Sequence, residues 1–485
     1  MEDEKNAFLK TVQDAAKIIA ELAKTKAKFA LYSHLDADGL AAAGIVGKAL
    51  SRLDVPFRTR ILPWLDANFL DEVAADDSDL IILTDLGSGY LDLVREKLSK
   101  RRVMILDHHP ISGTCGDNVV QVNPNVFGID GTREISGAGL AYLTMRAVDA
   151  QNADLAPIAV VGALGDMQDY NQQRSLIGLN TMIVDEGKAK GILASKKDLI
   201  FFGYETRPIH KALARSMQPF IPNISGSEGQ AYAFLVSIGV PPKHGNEWRK
   251  LRDLSTDEKR KIANELAEYL MARGMHRQVQ YLIGEVYSLL TETEKTPLHD
   301  GREFATLLNA AGRMNQFGLG VSLAMGVRDK TVEEAQRLLD TYRATIGKYI
   351  NWAMNTQGAL EEKNAVYVLH GKNEINDRMI SIIASGLVAT LPQQLKPLLA
   401  YSFVESAKIA KFSVRTVDEV VSSGIDLGST IKAVAEQFGG SGGGHDIAAG
   451  AEVPIAKLDP FLQAFDAAIA NEKAEIEKRK TETKP

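Results

Sequence analysis

The sequence predicts an α/β protein of two parts, a first domain on a parallel sheet and a smaller second α/β domain, with a mainly helical segment inserted between them. Three observations predict it. Short apolar runs, "KFALYS", "LIILTD" and "VMILDH", alternate with the helical stretches "GLAAAGIVGKAL" and "LDLVREKLSK", which is the pattern of repeated βαβ units. Residues 191–295 change texture, with Pro and Gly punctuating "FFGYETRPIH", "RSMQPFIPNISGSEG" and "PPKHGNEWRKL". From residue 296 the α/β alternation resumes. The expected division is 1–190, 191–295 and 296–470, followed by a charged tail over 471–485.

Taken in order, Phe8, Val12, Ala15, Ile19 and Leu22 recur at helical spacing, so an amphipathic helix leads the chain. The three apolar runs follow as strands of a sheet covered on both faces. "AGLAYLTMRAV" and "LAPIAVVGALGDM" continue as buried helices. In the inserted segment, Ser255 followed by Glu258 gives the helix "STDEKRKIANELAEYLMARG" a capping box. Beyond it, "GVSLAMGV", "NAVYVLHGK", "KPLLAYSF" and "AKIAKFSV" read as strands. "VEEAQRLLDTYRATIGKYI" and "MISIIASGLVATL" read as helices, and "FLQAFDAAIANEKAEIEKRK" as a last, increasingly charged one.

Composition bounds the function. With 485 residues, 45% of them apolar and 24% charged, the chain is globular and too long for one hydrophobic core. A net charge of −6 does not suit a protein that coats duplex DNA through bulk charge, so any nucleic-acid contact is a local groove. One cysteine, Cys115, excludes an intramolecular disulfide and a multi-cysteine zinc site, and points to a reducing, cytoplasmic compartment. The acidic start "MEDEKNAFLK" is unlike a signal peptide, and no apolar run reaches spanning length, so no membrane association is expected.

The chemistry sits where the strands end. Ligands of an open parallel sheet bind beyond the carboxyl ends of its strands. "FALYSHLDADGL" delivers His34, Asp36 and Asp38 to that edge. "LIILTDLG" delivers Asp85, and "VMILDHHP" delivers Asp107, His108 and His109; Asp166 closes the apolar stretch "VVGALGDMQD". Each piece has a plainer reading: a solvated turn at His34–Gly39, a helix N-cap at Asp85, one core and one exposed histidine at 108–109, a turn cap at Asp166. Together they converge, and so many carboxylates gathered without cations would repel one another. Carboxylates with a minority of imidazoles favour Mn²⁺ or Mg²⁺. Four or five acids with two or three histidines suffice for two ions about 3.5 to 4 Å apart, which activate water and stabilise charge on a phosphoryl group.

"HLDADG", "TDLG", "LDHH" and "GALGD", in this order, resemble the four motifs of the DHH phosphoesterase superfamily. "GGSGGGHDIAAGA" resembles the glycine-rich signature of the DHH-associated C-terminal domain, and "LLNAAGRMN" resembles a segment of RecJ-type exonucleases. The inserted segment and the end soon after the glycine signature are similar to archaeal RecJ-like proteins of the GINS-associated type. The resemblance implies that Asp36, Asp38, Asp85, His108 and Asp166 are metal ligands, with Asp85 the bridge and His34 a further ligand where bacterial relatives have an acid. It implies that Asp107 orients its neighbours and that His109 approaches the scissile phosphate. Gly442, Gly443, Gly444 and His445 are expected at substrate phosphate. Asn309, Arg313 and Arg378 are expected to bind substrate as well.

The expected function is a metal-dependent exonuclease on single-stranded DNA, working 5′ to 3′ with two divalent ions, Mn²⁺ preferred and Mg²⁺ accepted, in replication or repair. Tyr170 and Phe317, beside the motifs, are candidates for stacking bases. Two rivals stay open. One is an RNA exonuclease working 3′ to 5′, or a phosphodiesterase for short oligonucleotides or cyclic dinucleotides. The other is a replisome interaction protein that binds GINS and the replicative helicase, docking through the segment that carries Phe220 and Trp248.

Overall fold

The structure, a computed structural model, describes residues 2–216, 219–388, 391 and 395–482. Helix α1 (Glu2–Lys24) leads into β1 (Phe29–His34), α2 (Ala37–Arg52), β2 (Phe57–Leu62), α3 (Ala67–Ala74), β3 (Leu80–Thr84), α4 (Leu91–Lys97), β4 (Val103–Leu106), β5 (Val119–Val122), α5 (Gly137–Val148) and α6 (Ala156–Gly165). The five strands form one sheet in the order β2-β1-β3-β4-β5, and every neighbouring pair is parallel. Parallel pairing sends all carboxyl ends to one edge, so the residues after His34, Thr84 and Leu106 emerge side by side.

Both sheet faces are covered, which is why β1, β3 and β4 read as unbroken apolar runs. Ala30, Tyr32, Ile81, Leu83, Val103 and Ile105 pack with Phe69, Leu70 and Val73 of α3 and with Leu91 and Val94 of α4. The alternate residues Leu31, Ile82 and Met104 are fully buried. Helices α2, α5 and α1 contact β1, β3 to β4, and β5 respectively, and α2 packs in turn on α5 and α6. Strand β2 lies at the sheet edge, and its sequence FRTRIL alternates between partly buried and exposed residues before its last two, which are buried.

The next stretch runs through α7 (Leu179–Ala189), β6 (Leu193–Leu199), α8 (Ile209–Ala214), α9 (Glu228–Ser237), the hairpin β7 (Lys243–His244) and β8 (Glu247–Trp248), α10 (Thr256–Met271), α11 (His276–Val279) and β9 (Ile283–Leu289). It is mainly helical and gathers a core of its own around Leu213, Ile221, Leu235, Leu251 and Leu266. Strands β6 and β9 pair antiparallel and join its two ends. The expected capping box is present: Glu258 N–H donates to Ser255 Oγ at 3.2 Å, and Ser255 N–H donates to Glu258 Oε2 at 2.8 Å.

Helices α12 (Gly301–Arg313), α13 (Phe317–Ala324) and α14 (Asp329–Asn355) follow. "GVSLAMGV", expected as a strand, supplies the end of helix α13, which packs on α2 and α12. A short apolar run carries no period that separates a buried helix from a strand. The chain divides into two compact units, Met1–Leu339 and Asp340–Pro485. Residues 296–339, expected in the second α/β domain, thus lie in the first unit, because α12 packs on α2 and α6, and α13 on α2.

The second unit contains β10 (Leu360–Glu362), β11 (Tyr367–Lys372), α15 (Ile380–Val388), β12 (Leu398–Val404), β13 (Ile409–Arg415), α16 (Asp418–Ser422), α17 (Leu427–Gln437), β14 (Ser441–Gly444), β15 (Ala448–Pro454) and α18 (Leu458–Glu482). Its sheet has the order β10-β11-β12-β13-β15-β14; β11 and β12 pair parallel and the other neighbours antiparallel. Tyr401, Phe412 and Val414 of this sheet pack with Ile431, Phe461 and Phe465. Most of the expected tail is the continuation of α18, and residues 483–485 lie outside the described residues. Among the described residues no helix is long and apolar enough to cross a membrane.

Candidate metal centre

Strand β1 ends at His34, and two residues later Asp36 caps α2, accepting the Gly39 N–H on Oδ1 at 3.0 Å. Its other oxygen, Oδ2, lies 2.9 Å from His34 Nδ1. Asp38, in the first turn of α2, is fully buried and accepts the backbone N–H groups of Gly137 at 2.6 Å and Ala138 at 3.0 Å. These open helix α5, whose dipole favours an anion there. Helix α6 passes so close that a Cβ on Gly162 would lie 2.4 Å from Asp38 Oδ1, so only glycine lets the two helices converge on this carboxylate.

Asp85 follows β3 with φ +58, a left-handed conformation that costs a non-glycine residue roughly 1–2 kcal/mol. It caps no helix: the 3₁₀ turn Ser88–Tyr90 is entered through Gly87 without a side-chain cap. Asp107 serves that turn instead, its Oδ2 accepting the Ser88 N–H at 2.8 Å while its Oδ1 lies 2.8 Å from His109 Nδ1.

The acids and imidazoles then meet. His108 Nε2 lies 3.2 Å from Asp85 Oδ1, 3.2 Å from Asp166 Oδ2 and 3.6 Å from Asp38 Oδ2. Its Nδ1 lies 2.6 Å from the carbonyl oxygen of Gly131. A carbonyl only accepts, so the Nδ1 carries hydrogen, and the Nε2 on the side of the three carboxylates is the nitrogen that a metal would take once its proton leaves. Among the described residues the candidate ligand atoms fall into three sets, each within 4.8 Å: Asp38, Asp85, His108 and Asp166; His34, Asp36 and Asp85; Asp85, His108 and His109. Asp85 belongs to all three. Its Oδ2 is buried without a hydrogen-bond partner among the described residues. An orphaned buried oxygen in a set of hard oxygen and imidazole donors fits divalent cations.

Titration follows the same logic. Burial and the charges of Asp85 and Asp166 push the Asp38 carboxyl well above the usual range. Burial also raises Asp166, against the His108 hydrogen bond. For the imidazoles burial works the other way and is outweighed: Asp36 and Asp85 hold His34, and Asp166 and Asp85 hold His108, well above an ordinary histidine. Asp36 and Asp107 are depressed despite burial, by His34 and by His109 respectively. His109 is pushed up to about 9, since its bond to Asp107 and the charge of Asp85 outweigh burial.

All eight expected residues of the centre thus come together at one sheet edge. Sequence reasoning missed Gln168, which is buried and donates Nε2 to the carbonyls of Gly131 at 2.9 Å and Ile135 at 3.1 Å, while accepting Asn180 Nδ2 at 2.6 Å. It shares the Gly131 oxygen with His108; its signal was a polar residue directly after "GDM". Asn309, on α12, accepts the Ala37 N–H at 3.1 Å and so ties α12 to the loop that carries His34 and Asp36. Here α12 presses close: a Cβ on Gly312 would lie 1.7 Å from the Leu35 carbonyl oxygen. Arg313 ends the same helix. The other expected substrate residues belong to the second unit. Arg378 lies in the turn before α15, its N–H donating to Asn376 Oδ1 at 2.9 Å. Gly442, Gly443 and Gly444 form the edge strand β14, and His445 starts the turn into β15 with its N–H on the Ala448 carbonyl at 2.9 Å.

Three family models match the chain: the N-terminal domain of the DHH family over residues 28–164, the DHH-CID domain over 201–283 and the DHHA1 domain over 362–471. An uncharacterized protein of Methanocaldococcus jannaschii is 31% identical over 472 residues, which cover 96% of this chain and 98% of that one. The chain belongs to the DHH family. This DHH protein is also 26% identical over 193 residues to the single-stranded-DNA-specific exonuclease RecJ of Thermus thermophilus, covering 38% of this chain and 28% of RecJ. Its fold is similar to RecJ of Thermus thermophilus in complex with Mn²⁺, with TM-score 0.58 at 20% identity, over 95% of this chain and 55% of that one. The chain therefore spans about half the length of that RecJ. The fold is also similar to CDC45 from Entamoeba histolytica, with TM-score 0.62 at 12% identity, over 95% and 99% of the two chains. The DHH protein is a hydrolase of RecJ-like fold whose acidic cluster fits divalent metal.

Proposed function

We propose that this DHH protein is an exonuclease that hydrolyses single-stranded DNA in the 5′ to 3′ direction to 5′-mononucleotides, with two divalent ions. The observation that carries the reading is Asp85, which among the described residues is the one common to every candidate ligand set, with a buried oxygen that has no hydrogen-bond partner there. Asp38, Asp85, His108 and Asp166 would hold one ion, and His34, Asp36 and Asp85 the other, Mn²⁺ preferred and Mg²⁺ accepted. When bound, such a pair supplies an activated water and offsets charge developing at phosphorus. Backbone N–H groups fix Asp38, and the Gly131 carbonyl fixes the tautomer of His108. Asp107 grips His109 through Nδ1, which leaves the proton on Nε2 for a phosphate oxygen or the leaving 3′ oxygen. With its pKa pushed up to about 9, the ring holds that proton at neutral pH.

Choice of single-stranded DNA draws its support from the sequence likeness to the single-stranded-DNA-specific exonuclease RecJ, and the end-labelled digestion below decides the direction. The resemblance of the inserted segment to archaeal RecJ-like proteins of the GINS-associated type extends the proposal to replication or repair, with GINS and the replicative helicase as partners, which co-purification with GINS tests. The deciding experiment is digestion, in Mn²⁺, of long single strands labelled at either end, in DNA and RNA, beside a dinucleotide and a cyclic dinucleotide. Mononucleotide release from the 5′ end of DNA, lost in Asp85→Asn, is expected. Faster hydrolysis of the dinucleotides than of the long strands would replace the exonuclease with a short-substrate phosphodiesterase.

A further inference from the structure

Beyond Asp166 the chain buries a cation that its neighbours do not neutralise. Arg174 is only 4% exposed, and its Nε and Nη1 are buried without a hydrogen-bond partner among the described residues. Arg302 nearby shows the ordinary solution, pairing with Asp169 and donating Nη1 to the Glu285 carbonyl at 2.8 Å. What the Arg174 guanidinium touches is aromatic. Its Cζ lies 3.9 Å from the ring centroid of Tyr170 and 5.2 Å from that of Tyr281, and the two rings stack 5.7 Å apart at 17°. Attraction to two ring faces offsets only part of burying a charge.

The backbone holds the side chain in this place. Arg174 has φ +49, its N–H donates to the Asn171 carbonyl at 3.0 Å, and its carbonyl accepts the Glu285 N–H at 2.8 Å. A left-handed arginine fixed at both ends, aimed at two tyrosines and short of acceptors, is a donor set waiting for an anion. Both tyrosines are partly exposed, so the cluster reaches solvent through its aromatic edge. A ligand that offers an oxyanion to the guanidinium and a flat ring to the tyrosines is a nucleotide within a single strand.

We infer that Tyr170, Arg174 and Tyr281 form a nucleotide subsite, in which Arg174 takes a backbone phosphate of the strand and the tyrosines stack its base. The inference rests on the nuclease reading above and adds where the strand runs after it leaves the metals. Fully extended, the peptide from Asp166 to Arg174 would span about 28 Å. Turns closed by the Met167, Tyr170 and Arg174 N–H groups shorten it, so the subsite lies within a few nucleotides of the cleavage point.

The test measures binding of fluorescein-labelled oligodeoxythymidylate and oligouridylate in the Asp85→Asn background, where the strand is not consumed. Adding Arg174→Gln is expected to weaken binding about tenfold and to flatten the slope of log affinity against log salt by about 0.7, the share of one phosphate contact. Loss on either sugar supports the subsite. Its melting temperature is expected to stay or rise, since an uncompensated buried charge is removed. Unchanged affinity and slope overturn the inference, and so does a lower melting temperature with unchanged affinity, which assigns Arg174 to structure. Should Arg174→Gln not fold, Tyr170→Leu carries the same decision: weaker binding supports the subsite and unchanged binding overturns it. The two readings fail separately. A protein with Asp85 intact that cleaves no single strand, yet loses binding in Arg174→Gln, overturns the nuclease alone; one that cleaves strands while the Arg174 and Tyr170 variants bind and cleave like it overturns the subsite alone.

Discussion

Asp85 Oδ1 and His108 Nε2 stand 3.2 Å apart, and the other Asp85 oxygen, buried, has no hydrogen-bond partner among the described residues. Replacing Asp85 with Asn removes the shared anion from every ligand set without changing shape. Hydrolysis is expected to fall by about 10³-fold or more, the scale of several kcal/mol of charge stabilisation. Thermal stability in chelator is expected to hold or rise, because one like charge leaves a crowded cluster. Titration calorimetry with Mn²⁺ should lose stoichiometry as well as affinity. A variant that keeps full activity would remove the metal mechanism.

Cations should stabilise the fold, and the effect should depend on pH in a fixed direction. Protons and metal compete for the same imidazole nitrogens, and His34 and His108 hold their protons well above the usual pH for histidine. Metal affinity is therefore expected to rise with pH across the neutral range and to fall as the solution turns acidic. At a hundredfold excess over its dissociation constant, each bound ion adds about 2.7 kcal/mol. Scans of melting temperature with and without Mn²⁺, from acid to mildly alkaline buffer, read both the gain and its slope.

His109 is expected to set the alkaline limit of catalysis. Its pKa, pushed up to about 9, depends on the Asp107 carboxylate 2.8 Å away. His109→Ala is expected to lower kcat by about 10²–10⁴-fold, the range for a lost general acid. Asp107→Asn is expected to move the alkaline limb of the pH profile down toward the ordinary histidine value, since the proton on His109 loses its counter-charge. An unchanged limb would place the proton donor elsewhere.

The capping box of α10 makes a prediction about the inserted segment. Glu258, bonded to Arg249 Nη2 at 2.6 Å and to the Ser255 N–H, has its pKa lowered to about 2. A carboxyl depressed by folding stabilises fully above its unfolded value near 4.5, and that contribution fades as pH falls toward 2. Glu258→Gln is expected to cost about 1 kcal/mol near neutral pH and almost nothing near pH 2, as read by denaturant titration.

What was legible in the sequence was what local pattern and burial write together. β1, β3 and β4 announced themselves because both sheet faces are covered, and the acids behind them broke an otherwise apolar run. β2 carried no such mark, since Arg58 and Arg60 sit on an edge strand beside water. β6 was hidden because LASKKDL pairs with a strand some ninety residues later, a partner that no window contains. The end of α13 was misread because Val321, Leu323 and Ala324 offer apolar character without period. The ligands were legible as residue types at strand ends; that Asp85 touches every set was not, because sharing is a property of distances. Arg174 was illegible for the opposite reason: its mark is the lack of an acceptor.

Gln168 tests how far the centre depends on its supports. Its Nε2 meets the Gly131 carbonyl, which also receives His108 Nδ1, and its Oε1 accepts from Asn180. Gln168→Met keeps the volume and removes the hydrogen bonds, leaving Asn180 and the Ile135 carbonyl without that partner in a buried place. A loss of about 1–3 kcal/mol in stability is expected, with Mn²⁺ affinity down about 10–100-fold. Gln168→Glu looks more conservative and is expected to be worse. One carboxylate oxygen still accepts from Asn180, but the other faces two carbonyl oxygens with nothing to donate unless it takes a proton. The Glu variant should therefore regain stability and metal binding as pH is lowered from alkaline to neutral, whereas the Met variant should not. If both variants lose the same amount at every pH, Gln168 fills space and the Gly131 carbonyl orients His108 without it.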